Sequence, residues 1–210
     1  MSERRPPPRL SLMPAKPGET IDRAALGRHL RAIRRARGWT LQEVSLRTGL
    51  AVSTISKAER GLIGLAYDKF ILLAQRLELD VSDLFQPGGR GYANTTLSVT
   101  RAGGAPTYET ETYVYRMLAS DLRAKRMVPM WGRIKAHDVR AFTDFISHPG
   151  EEFLFVLEGT LTVHLEDRAP IRLERYDSMY FDSAIGHVYV SAGTEDTTIL
   201  VVCVDDPPGG

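Results

Sequence analysis

The side chains of this 210-residue sequence that can do chemistry are unevenly placed. Residues 1–60 carry 13 Lys and Arg against 5 Asp and Glu, whereas the rest of the chain carries 14 against 21. A formal net charge of +1 thus conceals a basic block joined to an acidic one, which predicts two domains with different partners. A polyanion is the partner a basic block attracts, and a solvated basic tail with no ligand is the alternative. The single cysteine, Cys203, cannot form an internal disulfide. It lies in the apolar run TTILVVCV and reads as a buried strand thiol, not a reactive one. That cysteine usage points to a reducing, cytoplasmic compartment. No apolar run approaches the roughly 20 residues needed to span a bilayer. The N-terminal stretch has arginines but no apolar core, so it does not read as a secretory signal.

These groups need elements to position them. Four prolines within the first fourteen residues predict an extended, solvated tail over 1–22. Residues 23–85 carry helical periodicity in five segments. Leu26, Leu30 and Ile33 mark the first, which Gly38 stops. Thr40 and Glu43 form a capping box for the second, with Leu41 and Val44 inward and Gly49 at its end. Val52, Ile55 and Ala58 mark the third, closed by Gly61. Phe70, Leu73, Ala74 and Leu77 mark the fourth, and Val81, Leu84 and Phe85 a short fifth begun by Asp80. QPGGRG opens a linker over 86–107. Beyond it the pattern turns to short runs of Val, Tyr, Phe and Thr. Strands are expected near Tyr113–Leu118, Met127–Ile134, Ala141–Ile146, Phe153–Glu158, Thr160–Glu166, Ser178–Phe181, His187–Val190 and Thr197–Val204. The expected fold is an all-α five-helix domain followed by an all-β barrel or jelly roll over 108–205, with a tail at 206–210.

Two helices joined by a short Gly-containing turn make a helix-turn-helix unit. The segment LGRHLRAIRRARGWTLQEVSLRTGLAVSTISKAERG resembles the phage-repressor (Xre-type) family of helix-turn-helix transcription regulators, and the resemblance extends over about residues 25–85. It implies double-stranded DNA as the partner. Leu41–Thr48 would lie across the backbone and Ala51–Arg60 would enter the major groove. Val52, Ser53, Thr54, Ser56 and Lys57 would then face the bases, with Ser, Thr and Lys as hydrogen-bonding groups and Val52 against a thymine methyl. Gln42 matches a phosphate or base contact, and Arg47 and Arg60 are candidate phosphate contacts. Arg34 and Glu59 match positions that pair within the domain. Ala51 departs from the family, which places a capping Ser or Thr there. A trihelical domain kept only for oligomerisation or for gating another site is the alternative.

HPGEEFLFVLEG and RYDSMYFDSAIGHVYVSAG resemble the two signature motifs of the cupin family, over about residues 108–205. His148, Glu152 and Gly159 fall on family positions in the first motif, and His187 in the second. Ile146 replaces the first histidine, and Tyr176 the usual turn glycine. The resemblance implies a metal held by His148, Glu152 and His187, a two-histidine, one-carboxylate set suited to iron(II) and able to take zinc, manganese or nickel. An emptied barrel with residual ligand positions is the alternative. Tyr113, Tyr115, Arg133, Phe155 and Tyr180 are candidate walls of an effector pocket, with ordinary barrel core as the competing role.

Together the two resemblances imply a DNA-binding transcription regulator whose cupin domain senses a small-molecule effector, with a bound metal as one means of doing so, acting as a homodimer or higher homo-oligomer, and not an enzyme. A second reading comes from the order of the domains and the YVY strand, which also resemble the 2-hydroxypropylphosphonate epoxidases, non-haem iron oxidases. In that reading His148, Glu152 and His187 would hold iron. Gly38 stands where those enzymes use a lysine to clamp substrate, and Phe145 or its neighbours replace a substrate-binding asparagine.

Overall fold

The computed structural model describes residues 23–65, 67–79, 84, 90–91 and 97–204. Four helices lie in the N-terminal part: α1 (Arg23–Ala36), α2 (Leu41–Thr48), α3 (Val52–Glu59) and α4 (Tyr67–Arg76). Among the described residues four helices have defined bounds, against the five expected. Leu84 is helical and fully buried, but most of the segment begun by Asp80 lies outside the described residues. The expected tails at 1–22 and 206–210 lie outside them as well.

Leu26 and Leu30 of α1, Val44 of α2, Ile55 and Ala58 of α3, and Leu73, Ala74 and Leu77 of α4 form the helical core. Their spacing of three or four residues puts each set on one face of its helix. Thr40 caps α2 as expected: its hydroxyl accepts from the Glu43 N–H at 3.1 Å, and the Glu43 carboxylate accepts from the Thr40 N–H at 2.6 Å. Gly49 ends α2 in the left-handed region, at φ 74°. α1 and α3 cross closely at Gly27, where a Cβ would come within 2.4 Å of the Ala58 carbonyl oxygen.

The C-terminal part is antiparallel β. Its strands include β2 (Thr107–Glu109), β3 (Tyr113–Met117), β5 (Met127–Ile134), β6 (Glu151–Glu158), β7 (Leu161–Leu165), β8 (Ile171–Leu173), β9 (Ser178–Asp182), β10 (His187–Ser191) and β11 (Thr197–Val204). One sheet runs β2-β3-β5-β11-β6-β9 and the other β10-β7-β8. Residues alternate in burial along β5, β6 and β11, as a half-buried strand requires. β10 is buried throughout. A short parallel pair joins β1 (Arg90–Gly91) to β4 (Leu122–Arg123), so a strand falls inside the expected linker.

The strand expected at Ala141–Ile146 does not form. Asp138 accepts from the Arg140 N–H at 2.8 Å and caps a 3-10 turn over Val139–Ala141. Only Ile146 of that run joins a strand, in an isolated bridge to His187. The helical and β parts meet at Tyr108, whose hydroxyl donates to the Leu65 carbonyl at 3.0 Å in a buried contact.

Candidate nucleic-acid interface and metal centre

The first site is one face of α2 and α3. Ile55, Ala58 and Glu59 turn inward, which leaves Ser53, Lys57 and Arg60 exposed or partly so, along with Val52, Thr54 and Ser56. Gln42 and Arg47 on α2 are exposed too. Arg47 stacks its guanidinium 4.7 Å from the centre of the Trp39 ring, which orients that cation. Arg60 donates to the Ser56 carbonyl at 3.2 Å. Ala51 has the extended backbone of a cap, φ −60° and ψ 139°, yet offers no side-chain acceptor to the helix.

Beneath this face, Arg34 of α1 grips Glu59 of α3. Its Nε and second terminal nitrogen donate to the two carboxylate oxygens at 2.6 and 2.9 Å, and its other nitrogen donates to the Trp39 carbonyl at 2.8 Å. The Glu59 hydrogen bond holds the guanidinium pKa above its ordinary value despite desolvation. A planar fork meeting a carboxylate fixes direction as well as distance, so α3 is held against α1 in one orientation.

The second site lies inside the barrel. The period of two along β6 turns Glu152, Leu154 and Val156 inward. Glu152 is 2% exposed, His148 4% and His187 3%. His148 reaches the site from the loop before β6, and His187 from the first residue of β10. The Nε2 of His148 lies 3.2 Å from Glu152 Oε2, and that of His187 3.6 Å from the same oxygen. The His187 Nδ1 lies 2.8 Å from the Ile185 carbonyl oxygen. A carbonyl can only accept, so Nδ1 carries a proton and Nε2 is the ring nitrogen turned to the site. His148 Nδ1 faces the Pro149 carbonyl at a longer 3.4 Å.

Two further groups touch the carboxylate. The Tyr189 hydroxyl donates to Glu152 Oε1, and the Cys203 thiol to Oε2 at 3.4 Å. Burial alone would raise the Glu152 pKa, but the His148 hydrogen bond, both imidazoles and the Tyr189 hydroxyl together hold it below the usual value. Burial, then the Glu152 charge, drives the Tyr189 phenol well above its ordinary value. An ionised carboxylate facing two imidazole nitrogens in a dry cavity is a donor set that fits a divalent ion.

Comparison with known proteins agrees with both halves. The helix-turn-helix family profile matches residues 30–84, and the cupin domain profile residues 140–203. The chain joins a helix-turn-helix domain to a cupin domain. A solved transcriptional regulator of the HTH_3 family from Vibrio cholerae is 18% identical, covers 89% of this chain and 98% of its own, and has a TM-score of 0.59, which shows a shared two-domain fold. Hydroxypropylphosphonic acid epoxidase from S. wedmorenis is 20% identical over 88% of this chain and 100% of its own, with a TM-score of 0.48. Comparison with curated proteins gave no match. The two domains support a DNA-binding regulator carrying a cupin domain.

A cavity of about 370 Å³ opens between the helix-turn-helix and cupin domains. Arg23, Gly64 and Lys69 line it from the helical side, and Tyr113, Tyr115 and Phe142 from the barrel side, with Glu111 and Asp144 among its acidic groups. Tyr113, Tyr115 and Ile146 also line the smaller inner cavity that holds Glu152 and His187. Tyr113 spans the barrel, its hydroxyl donating to the Tyr189 carbonyl at 3.2 Å and accepting from the Tyr189 N–H at 2.9 Å.

The other three candidate wall residues face away. Phe155 alternates with Leu154 and Val156 and packs on Tyr176 outside, with ring centres 6.3 Å apart. Tyr180 is 62% exposed. Arg133 is exposed and faces Asp196 at 3.7 Å. Strand alternation puts these positions on the outer face. The motifs do not mark Cys203, Tyr189 or the interdomain residues Arg23 and Lys69 as site groups. For Cys203 the sequence does carry a signal: it shares strand parity with Ile199 and Val201, both buried.

Proposed function

We propose that this chain is a transcription regulator that reads duplex DNA with α3 and senses a small molecule through its cupin domain. The observation that carries the reading is the solvent-facing row of Ser53, Lys57 and Arg60 on a helix whose opposite side is buried and pinned by Arg34. Lys57, Ser53, Thr54, Ser56 and Val52 would face base edges, and Gln42, Arg47 and Arg60 the phosphates. Two copies would sit on half-sites about one helical turn apart, which favours a homodimer.

The interdomain cavity suits an effector, because both domains wall it. A molecule there contacts Arg23 and Lys69 on one side and the tyrosines on the other, so its affinity depends on how the domains are set. That differential affinity is what shifts a population between DNA-binding and non-binding arrangements. His148, Glu152 and His187 would hold a divalent ion beneath the cavity. The ion would supply fixed positive charge, and the protein orients the donors through the Ile185 carbonyl and the Tyr189 hydroxyl. The iron-oxidase reading rests on the same three residues. Against it, Gly38 lies in the turn after α1 with no side chain to offer, and the cations at the cavity are Arg23 and Lys69.

The test is a titration of the full chain against a duplex spanning the region upstream of its own gene, at low and moderate salt. Tight binding that weakens steeply with salt is expected, and Glu152→Ala should keep it. Protein that binds iron stoichiometrically and ignores DNA at low salt would refute the proposal.

A further inference from the structure

The carboxylate of Glu152 has a fourth neighbour of ligand type. Cys203 on β11 is paired directly opposite Glu152 on β6 in the strand register. Thr197, Ile199, Val201 and Cys203 form the buried set of β11, so the thiol shares the inner face with the carboxylate. Cys203 is 3% exposed, as dry as the histidines. The donor atoms of His148, Glu152 and Cys203 all lie within 4.8 Å of one another.

We propose that Cys203 is a metal ligand, and that His148, Glu152 and Cys203 form the three-donor core of a centre for a zinc-type ion, with His187 Nε2, 3.6 Å from Glu152 Oε2, as the donor that completes it. The inference rests on the metal-binding part of the proposed function and changes its character. A tetrahedral ion with bonds of about 2.0–2.1 Å to nitrogen and oxygen and about 2.3 Å to sulfur sets its donors roughly 3.4 Å apart, or roughly 3.6 Å where sulfur is one of them. From Glu152 Oε2 the observed edges are 3.2 Å to His148, 3.6 Å to His187 and 3.4 Å to Cys203. The three edges that meet at Oε2 match such a tetrahedron to within a few tenths of an ångström, and the donors that also lie within 4.8 Å of one another are those of His148, Glu152 and Cys203.

The charges agree as well. A carboxylate and a thiolate against one divalent ion sum to zero, which suits a buried cavity better than a site with net charge. On binding, the thiol gives up its proton to solvent, and its lone pair goes to the metal in place of the S–H donated to Glu152. The Tyr189 hydroxyl fixes Oε1, so Oε2 stays turned to the other three donors. A thiolate softens the set toward zinc or cobalt and away from manganese. Once His187 completes the set, no position stays open for oxygen or substrate, the mark of a structural or sensory centre and not of an oxidase.

Cobalt(II) reads this directly. The reduced, oxygen-free full chain is titrated with cobalt(II) alone and its absorption recorded. The expected result is one equivalent bound, intense visible bands of tetrahedral cobalt and a thiolate-to-cobalt charge-transfer band in the near ultraviolet. Cys203→Ser should still fold and still bind cobalt, with the charge-transfer band abolished. Cobalt bound by the unmodified chain without that band, or with a spectrum unchanged in Cys203→Ser, overturns the role of Cys203 and leaves the three-residue metal site standing. Failure of the unmodified chain to bind cobalt overturns both. Duplex binding is scored separately and is untouched by either outcome.

Discussion

Replacing Arg34 with Met should cost the helix-turn-helix domain most of its stability. The guanidinium makes a bidentate bond to Glu59 and a third bond to the Trp39 carbonyl. Methionine fills much of the volume but leaves the Glu59 carboxylate, whose side chain is 6% exposed, with no cation. Removing one partner of a buried pair costs about 3–5 kcal/mol. Arg34 itself is 14% exposed, so some water reaches the pair and the lower end, about 3 kcal/mol, is expected. With a urea dependence of about 1–3 kcal/mol per molar, the midpoint should fall by about 1 M or more. Far-ultraviolet circular dichroism is the assay, since the described helices lie in that domain. The double variant Arg34→Met, Glu59→Leu should recover most of the stability, because no charge is then stranded. Its duplex affinity should stay below that of the unmodified chain, because the fork that aims α3 is gone. If Arg34→Met unfolds within about 1 kcal/mol of the unmodified chain, the pair does not organise the domain and the argument for α3's orientation fails.

Thr40→Ala should destabilise the domain by about 1 kcal/mol, and Ala51→Ser should stabilise it by a similar amount, since the first removes a helix cap and the second adds one; equal midpoints in urea would contradict both. Backbone and hydroxyl hydrogen bonds from Thr40 hold the Glu43 carboxyl pKa below its ordinary value, so its contribution is complete above the unfolded value and disappears as pH falls through the folded one. The difference in melting temperature between Glu43→Ala and the unmodified chain should therefore close in acid, and a gap that persists at the lowest pH would count against the capping box. Tyr176 holds a left-handed backbone, φ 76°, at which a side chain costs about 1–2 kcal/mol, offset in part by the roughly 0.5–1 kcal/mol that glycine's flexibility would cost. Tyr176→Gly should thus raise stability slightly, and a drop of more than about 1 kcal/mol would show that its packing on Phe155 and Arg175 dominates.

Helical spacing and stop signals are enough to place α1 to α3, because Thr40, Gly38, Gly49 and Gly61 act locally. Gly38, Gly49 and Gly61 all take the positive φ that a chain reversal needs. The Arg34–Glu59 pair is legible only through resemblance, since the two residues are 25 positions apart and periodicity says nothing of who meets whom. Long strands with clean alternation, β5 and β11, are visible with their full lengths. β2 and β8, three residues each, are not, because so short a run has no period to detect. Ala141–Ile146 has strand-like composition, but the Asp138 cap turns its start into a helical turn. The two histidines and Glu152 follow from motif positions. Cys203 and Tyr189 do not, because their approach to Glu152 depends on the β11–β6 register and on closure of the barrel. The interdomain cavity depends on how Leu65 and Tyr108 bring the two domains together, which no local pattern encodes.

The central claim is that α3 docks into duplex DNA, and the salt dependence of binding tests it most directly. Every phosphate that the protein ceases to neutralise should make the slope of log K against log salt less negative by about 0.9. Arg60→Ala should lower the magnitude of the slope by about that much per protomer, while an exposed cation remote from α3, such as Arg168, changed to Ala should leave it alone. Equal slopes for the unmodified chain and Arg60→Ala, or no duplex binding at the lowest salt, would contradict the account.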